Sequence, residues 1–164
     1  MLSVVKVIEN GYEHPLALRG LLNYIFTDKS TGNCCYYCGG ANIDPQNAEE
    51  EMRAVKRAYR KTEGRIARHF VVSLGSDSLF LPCEANELAL KICQYYSDRY
   101  QIVYSVHENT KNLHIHFVMN TVSFRDGLMF SEGPAELQQF KNYVQQLINE
   151  QIRKVNHQNI MYGW

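Results

Sequence analysis

The chain has no apolar run approaching the roughly 20 residues that a membrane-spanning helix needs. A secretory signal is also missing, because Met1 to Ile8 is too short for an apolar signal core and Lys6 interrupts it. There is no net charge. Lys and Arg number 17, and so do Asp and Glu, so no global basic field announces a polyanionic partner. A second C-x-x-C is absent: Cys35-Tyr36-Tyr37-Cys38 stands alone beside Cys34, with Cys83 and Cys93 scattered, which argues against a zinc ribbon. Five cysteines, an odd number, fit reduced thiols in a cytoplasm better than a disulfide framework. Local zinc or redox work by Cys34, Cys35 and Cys38 is the minor alternative. No internal repeat or linker divides the chain, and 164 residues at 45% hydrophobic content make one globular domain, 1–164.

Periodicity then sets the architecture. Ser3 to Ile8 alternates as a short strand ended by Glu9-Asn10-Gly11. Pro15 opens a helix whose stripe is Leu16, Leu18, Leu21, Leu22, Ile25 and Phe26. Residues 28–44 read as a polar loop carrying cysteines, and a helix follows from about Pro45 to Arg60. Arg68 to Leu74 is a β-branched central strand and Glu84 to Asp98 is helical. Gln101 to His107 and Leu113 to Val122 form a hairpin, Arg125-Asp126-Gly127 turns, and Pro134 to Val155 closes as an amphipathic helix. This interleaving with an antiparallel pair predicts an α+β fold, a central antiparallel β-sheet flanked by α-helices.

Three of the six histidines fall within ten residues, at His107, His114 and His116. On a strand, the period of two puts His114 and His116 on one face, with Leu113, Ile115 and Phe117 on the other. The hairpin brings His107 beside them. Three neutral imidazoles with open positions suit a catalytic divalent metal, whether Mn, Mg, Co, Ni or Zn. Glu108 is a candidate base for metal-bound water, but on a strand it faces away from His107. Tyr24, near the end of the first helix, reads by itself as a core residue, and to act as a nucleophile it would need a base or nearby positive charge. From Arg53 to Arg68 the chain gathers Arg53, Lys56, Arg57, Arg60, Lys61, Arg65 and Arg68 against the single acid Glu63. With Tyr36 and Tyr37 for base stacking, this stripe is where nucleic acid would dock; a solvated helix face is the alternative.

The run His107-Glu108-Asn109-Thr110-Lys111-Asn112-Leu113-His114-Ile115-His116-Phe117-Val118-Met119-Asn120 resembles the three-histidine motif of conjugative relaxases. These are the mobilisation nucleases of the HUH endonuclease superfamily, and the MobP-like type is the nearest match. Leu22-Asn23-Tyr24-Ile25-Phe26-Thr27-Asp28-Lys29 resembles the family's tyrosine segment. Arg68-His69-Phe70-Val71-Val72-Ser73-Leu74 resembles its earlier strand, and Thr121-Val122-Ser123-Phe124-Arg125-Asp126-Gly127 its following turn.

The resemblance implies a relaxase-like sandwich and a nuclease domain forming the N-terminal part of a longer bacterial protein. It implies site- and strand-specific nicking at a transfer origin, with Tyr24 forming a reversible 5′-phosphotyrosine link. His107, His114 and His116 would hold the metal, while Glu108, Asn109 and His69 become candidates for orienting ligands or moving protons. Arg53, Lys56, Arg57, Arg60, Lys61 and Asn120 are the DNA-binding candidates. Implied partners are single-stranded or hairpin-bearing transfer-origin DNA, accessory relaxosome proteins and the conjugation coupling machinery, with no membrane. Relatives often carry an acid where Asn109 stands, so a charge that would brace a ligand histidine is missing here. Tyr96 and Tyr100 share the spacing of two-tyrosine replication initiators but precede the histidines, and read as packing residues. Two other functions compete: a non-catalytic nucleic-acid-binding module with a histidine-held metal, and a metal-dependent hydrolase that uses water.

Overall fold

The computed structural model describes residues 4–9, 12–33, 35–75, 80–108 and 111–162. Strand β1 (Val4–Ile8) and helix α1 (Ala17–Phe26) open the chain, followed by β2 (Cys38–Ala41), a short 3-10 turn at Pro45–Asn47 and α2 (Ala48–Ala58). Then come β3 (Ala67–Ser73), α3 (Pro82–Cys93), β4 (Ile102–His107), β5 (His114–Asn120) and α4 (Pro134–Tyr162). The strands form one sheet in the order β1-β3-β5-β4-β2, and every pairing is antiparallel. The expected α+β architecture is present.

Strand alternation divides the sheet into two buried faces. Phe70, Val72, Ile102, Tyr104, Val106, Ile115, Phe117 and Met119 pack with α3 and α4. Phe70 and Phe117, register partners across β3 and β5, stack at 4.7 Å with planes 8° apart. Each such apolar side chain contributes about 1.5–3 kcal/mol when fully buried. The opposite face places Ala67, Val103 and Val118 under α1 and α2. Helix α1 buries Leu18, Leu21, Leu22 and Ile25, an i, i+3, i+4, i+7 stripe on one side of the cylinder.

Several boundaries differ from the sequence pattern. The supposed loop 28–44 contains β2, an edge strand paired to β4 through Cys38↔Ser105 and Ala41↔Ile102. Cys-Gly-Gly-Ala carries no strand signature because its neighbours leave no room for side chains. A Cβ on Gly39 would lie 2.6 Å from the Tyr104 hydroxyl, and one on Gly40 2.8 Å from the Ile102 carbonyl. Helix α2 ends at Ala58 rather than Arg60, whose φ of 55° is left-handed. Helix α3 runs from Pro82 only to Cys93, its start secured by Glu84, which accepts the Leu81 amide at 2.8 Å. Strand β5 ends at Asn120, and Val122 bridges to Met129 instead. Helix α4 continues past Val155 to Tyr162, beyond its last buried residue, Gln151. Asn10, Gly11, Cys34 and Asn109 lie outside the described residues.

Candidate metal centre and nucleophile

The β4–β5 register sets His107 opposite His114 and Ser105 opposite His116. Alternation therefore sends all three imidazoles to the α1/α2 face, as the sequence period predicts. One ring nitrogen from each lies within 4.8 Å of the others, and these three form the one histidine, cysteine or carboxylate cluster with ligand spacing among the described residues. His107 and His116 are buried, and His114 is half-buried.

Hydrogen bonds orient the rings. His107 Nε2 is 2.6 Å from the Ile25 carbonyl, which only accepts, so that nitrogen donates and Nδ1 is the one left to face a metal. His114 Nδ1 donates to the Asn112 carbonyl at 3.2 Å, which makes Nε2 its lone-pair nitrogen in the neutral ring. His116 Nδ1 meets His69 Nε2 at 2.9 Å. Burial, then the neighbouring His107, push the His116 pKa far below its usual value, and burial also lowers that of His114. His69, buried on β3 beside His107, falls to about 4. His69, His114 and His116 are thus neutral near pH 7, the charge state that ligation requires of the last two. Nitrogen donors, convergence and hydrogen-bonded outer nitrogens fit a divalent transition metal.

Helix α1 crosses above this cluster and carries Tyr24, which is 42% exposed. Its ring centroid lies 5.4 Å from His116, 6.3 Å from His69 and 6.4 Å from His107. The structure also brings in two residues that the sequence reading did not single out. Lys29 places its ammonium 4.6 Å from the centroid of the Tyr24 ring. It sits in a turn where Asp28 accepts the Ser30 amide at 2.8 Å and hydroxyl at 2.6 Å, and where Gly32, at φ 71°, donates to the Asp28 carbonyl at 2.7 Å. Tyr12 meets His69 Nδ1 through its hydroxyl at 2.9 Å. Lys29 lay within the tyrosine segment, but no pattern links Tyr12 to a residue 57 positions away.

The other candidates are placed differently. Glu108 is exposed, and its charge bears on Tyr37. The basic stripe is divided. Arg53 bonds Glu49 at 3.0 Å and the Pro15 carbonyl at 2.6 Å, and Arg57 pairs with Glu50 at 2.5 Å. Arg60 and Lys61 are exposed. Lys56 and Asn120 are buried together, with the Lys56 ammonium 2.5 Å from Asn120 Oδ1 and 3.2 Å from Thr121 Oγ1. Burial, aided by Arg53, pulls Lys56 down to about 8. Asn120 Nδ2 in turn donates to the Met52 carbonyl and to Gln101. This pair ties α2 to the sheet beneath it. Tyr96 and Tyr100 are core residues, as expected, with Tyr96 donating to Glu132 at 2.6 Å.

Comparison with known proteins agrees with this geometry. Residues 24–152 match the model of the relaxase family described as MobA/VirD2-like, nuclease domain. The chain is 24% identical over 120 residues to Protein rlx of Staphylococcus aureus, covering 69% of this chain and 36% of that protein. It thus spans about a third of that relative's length. A solved structure described as "Molecular Basis of Vancomycin Resistance Transfer in Staphylococcus aureus" superposes with a TM-score of 0.64 over 94% of each chain at 12% identity, a likeness of fold. With the family match extending from Tyr24 across all three histidines, the chain belongs to the MobA/VirD2-like relaxase nuclease domains.

Proposed function

We propose that this domain nicks one strand of DNA at a transfer origin by transesterification, with Tyr24 as nucleophile. The observation that carries the reading is the Tyr24 ring set edge-on 5.4 Å from His116, over the face where His107, His114 and His116 converge. The Tyr24 oxygen attacks the scissile phosphorus. The new Tyr24 O–P bond replaces the P–O3′ bond, the phenolic proton leaves to solvent, and the departing 3′ oxygen takes up a proton. One phosphodiester becomes another of similar energy, so the same residues can rejoin the strand.

His107, His114 and His116 would hold a divalent metal, which supplies Lewis acidity to the non-bridging phosphate oxygens. Lys29, close to the Tyr24 ring, adds positive charge where the phosphate and the developing phenolate meet. Glu108 faces solvent and is not required, which favours the tyrosine route over metal-bound water. Exposed Arg57, Arg60, Lys61 and Arg65 are the remaining basic-stripe groups for DNA phosphates. Substrate DNA is single-stranded or hairpin-bearing, and accessory relaxosome proteins and the coupling machinery complete the assembly. No helix among the described residues is long and apolar enough to cross a membrane.

The test is incubation with a labelled single-stranded transfer-origin oligonucleotide and Mn²⁺. The expected product is a covalent, protease-sensitive protein–DNA adduct that Tyr24→Phe abolishes. Cleavage that survives in the variant means water is the nucleophile. Binding without any cleavage means a non-catalytic module.

A further inference from the structure

A chain of three side chains runs outward from the metal-ligand cluster. Tyr12 meets His69 Nδ1 at 2.9 Å, and His69 Nε2 meets His116 Nδ1 at 2.9 Å. His69 and His116 are both buried, and their rings lie 5.2 Å apart at 26°. Tyr12 is itself fixed, since its carbonyl accepts the Ile66 amide at 2.7 Å and its ring packs with the α1/α2 core.

Two nitrogens in contact cannot both donate, so the chain has two self-consistent polarities. In the first, Tyr12 O–H donates to His69 Nδ1, His69 Nε2–H donates to His116 Nδ1, and the His116 proton sits on Nε2. That form of His116 has no lone pair left for a metal. In the second, His116 Nδ1–H donates to His69 Nε2 and His69 Nδ1–H donates to the Tyr12 oxygen. His116 Nε2 then carries its lone pair. Only the second polarity allows His116 to ligate, and it requires Tyr12 to act as an acceptor.

We infer that Tyr12 is a positioning residue: through His69 it holds His116 in the tautomer that binds the metal. The inference rests on the proposed metal role of the three histidines. A hydroxyl suits the task because it both donates and accepts, so it can partner His69 in either polarity. Phenylalanine would fill the same space but remove the contact in both polarities: the metal-bound one is left with an unpartnered His69 Nδ1–H, the other only with an unfilled acceptor, which costs less. Replacing such outer partners typically weakens metal binding by about 10- to 100-fold.

The experiment is Zn²⁺ titration of wild type and Tyr12→Phe by chelator competition, with long-range ¹H–¹⁵N spectra of the histidine rings. The expected result is roughly tenfold weaker Zn²⁺ binding in the variant while the metal-free protein stays folded. Zinc-loaded wild type should show His69 protonated on Nδ1 and His116 protonated on Nδ1. Wild-type zinc affinity in Tyr12→Phe, or His69 protonated on Nε2 in the loaded protein, overturns the inference. If the variant does not fold, the wild-type ring spectra alone decide. Wild type that binds no Zn²⁺ at the three histidines fails the underlying reading as well. Normal zinc binding and adduct formation with the opposite His69 tautomer fails only the role of Tyr12.

Discussion

His107 donates from Nε2 to the backbone carbonyl of Ile25 across 2.6 Å, and Ile25 is the residue after Tyr24. A metal-ligand candidate is therefore tied directly to the helix that carries Tyr24, the proposed nucleophile. Ile25 is 0% exposed, so its packing under α1 sets where that carbonyl lies. Ile25→Ala should cost about 2–5 kcal/mol by urea unfolding. Nicking should fall further than in Ile148→Ala, a truncation of similar size on the far face, where α4 meets the sheet. Equal rates in two equally destabilised variants would show that the His107 contact does not set the geometry.

Lys29 tests the charge beside the proposed nucleophile. Its ammonium is exposed, so solvent weakens its effect, yet it is aimed at the Tyr24 ring. Lys29→Ala should slow adduct formation by about tenfold, equivalent to about 1.4 kcal/mol on the barrier. Lys29→Arg should recover most of that rate, and Lys111→Ala should leave it unchanged. Single-turnover kinetics with saturating oligonucleotide separate this effect from binding. If Lys29→Ala changes only affinity, the lysine anchors DNA and does not assist the reaction.

Removing a proposed ligand should separate chemistry from binding. His116→Ala or His114→Ala leaves two imidazoles, too few to hold the ion well, so Mn²⁺-dependent cleavage should drop below detection. Oligonucleotide affinity, measured by fluorescence anisotropy, should stay within a few-fold of wild type because the basic groups are untouched. A parallel collapse of affinity would mean the histidines bind DNA directly.

A buried ion pair braces the far side of the sheet. Arg68 and Glu132 pair at 4% and 7% side-chain exposure, Tyr96 donates to the same carboxylate, and the guanidinium carbon lies 4.5 Å from the Phe130 ring centroid. Glu132→Ala leaves the arginine charge buried and should cost about 3–5 kcal/mol. Thermal and urea unfolding measure it. A loss below about 1 kcal/mol would place the pair in water, where exposed ion pairs have little effect.

The sequence showed most clearly what depends on near neighbours. A hairpin of fixed period determines that His107, His114 and His116 share a face, and helical spacing determines the stripe of α1. Strand β2 was hidden because its glycines answer to Tyr104 and Ile102, more than 60 positions away. Lys56 and Asn120 looked like DNA contacts because residue type signals charge and polarity, whereas burial depends on how α2 lies across the sheet. The partnership of Tyr12 with His69 exists only after β3 and the first turn have met. Lys29 needed the Asp28 turn to bring it back over Tyr24.

The buried imidazoles also predict how the metal-free protein responds to acid. His69 titrates near 4 in the folded state because of burial and the neighbouring His107, against about 6.5 when unfolded. His114 and His116 are shifted in the same direction, by burial first. Below pH 6.5 the unfolded chain binds protons that the folded chain does not, so stability decreases as pH falls. The contribution is complete above about pH 6.5 and is lost progressively towards pH 4, with His69 alone accounting for roughly 3 kcal/mol. Urea unfolding in EDTA from pH 7.5 to 4.5 should show this slope, and His69→Gln should flatten it. Saturating Zn²⁺ should raise stability most near pH 7 and least at acid pH, where protons compete for the same nitrogens. A flat profile in EDTA would mean that the imidazoles are hydrated and that the site is open to water.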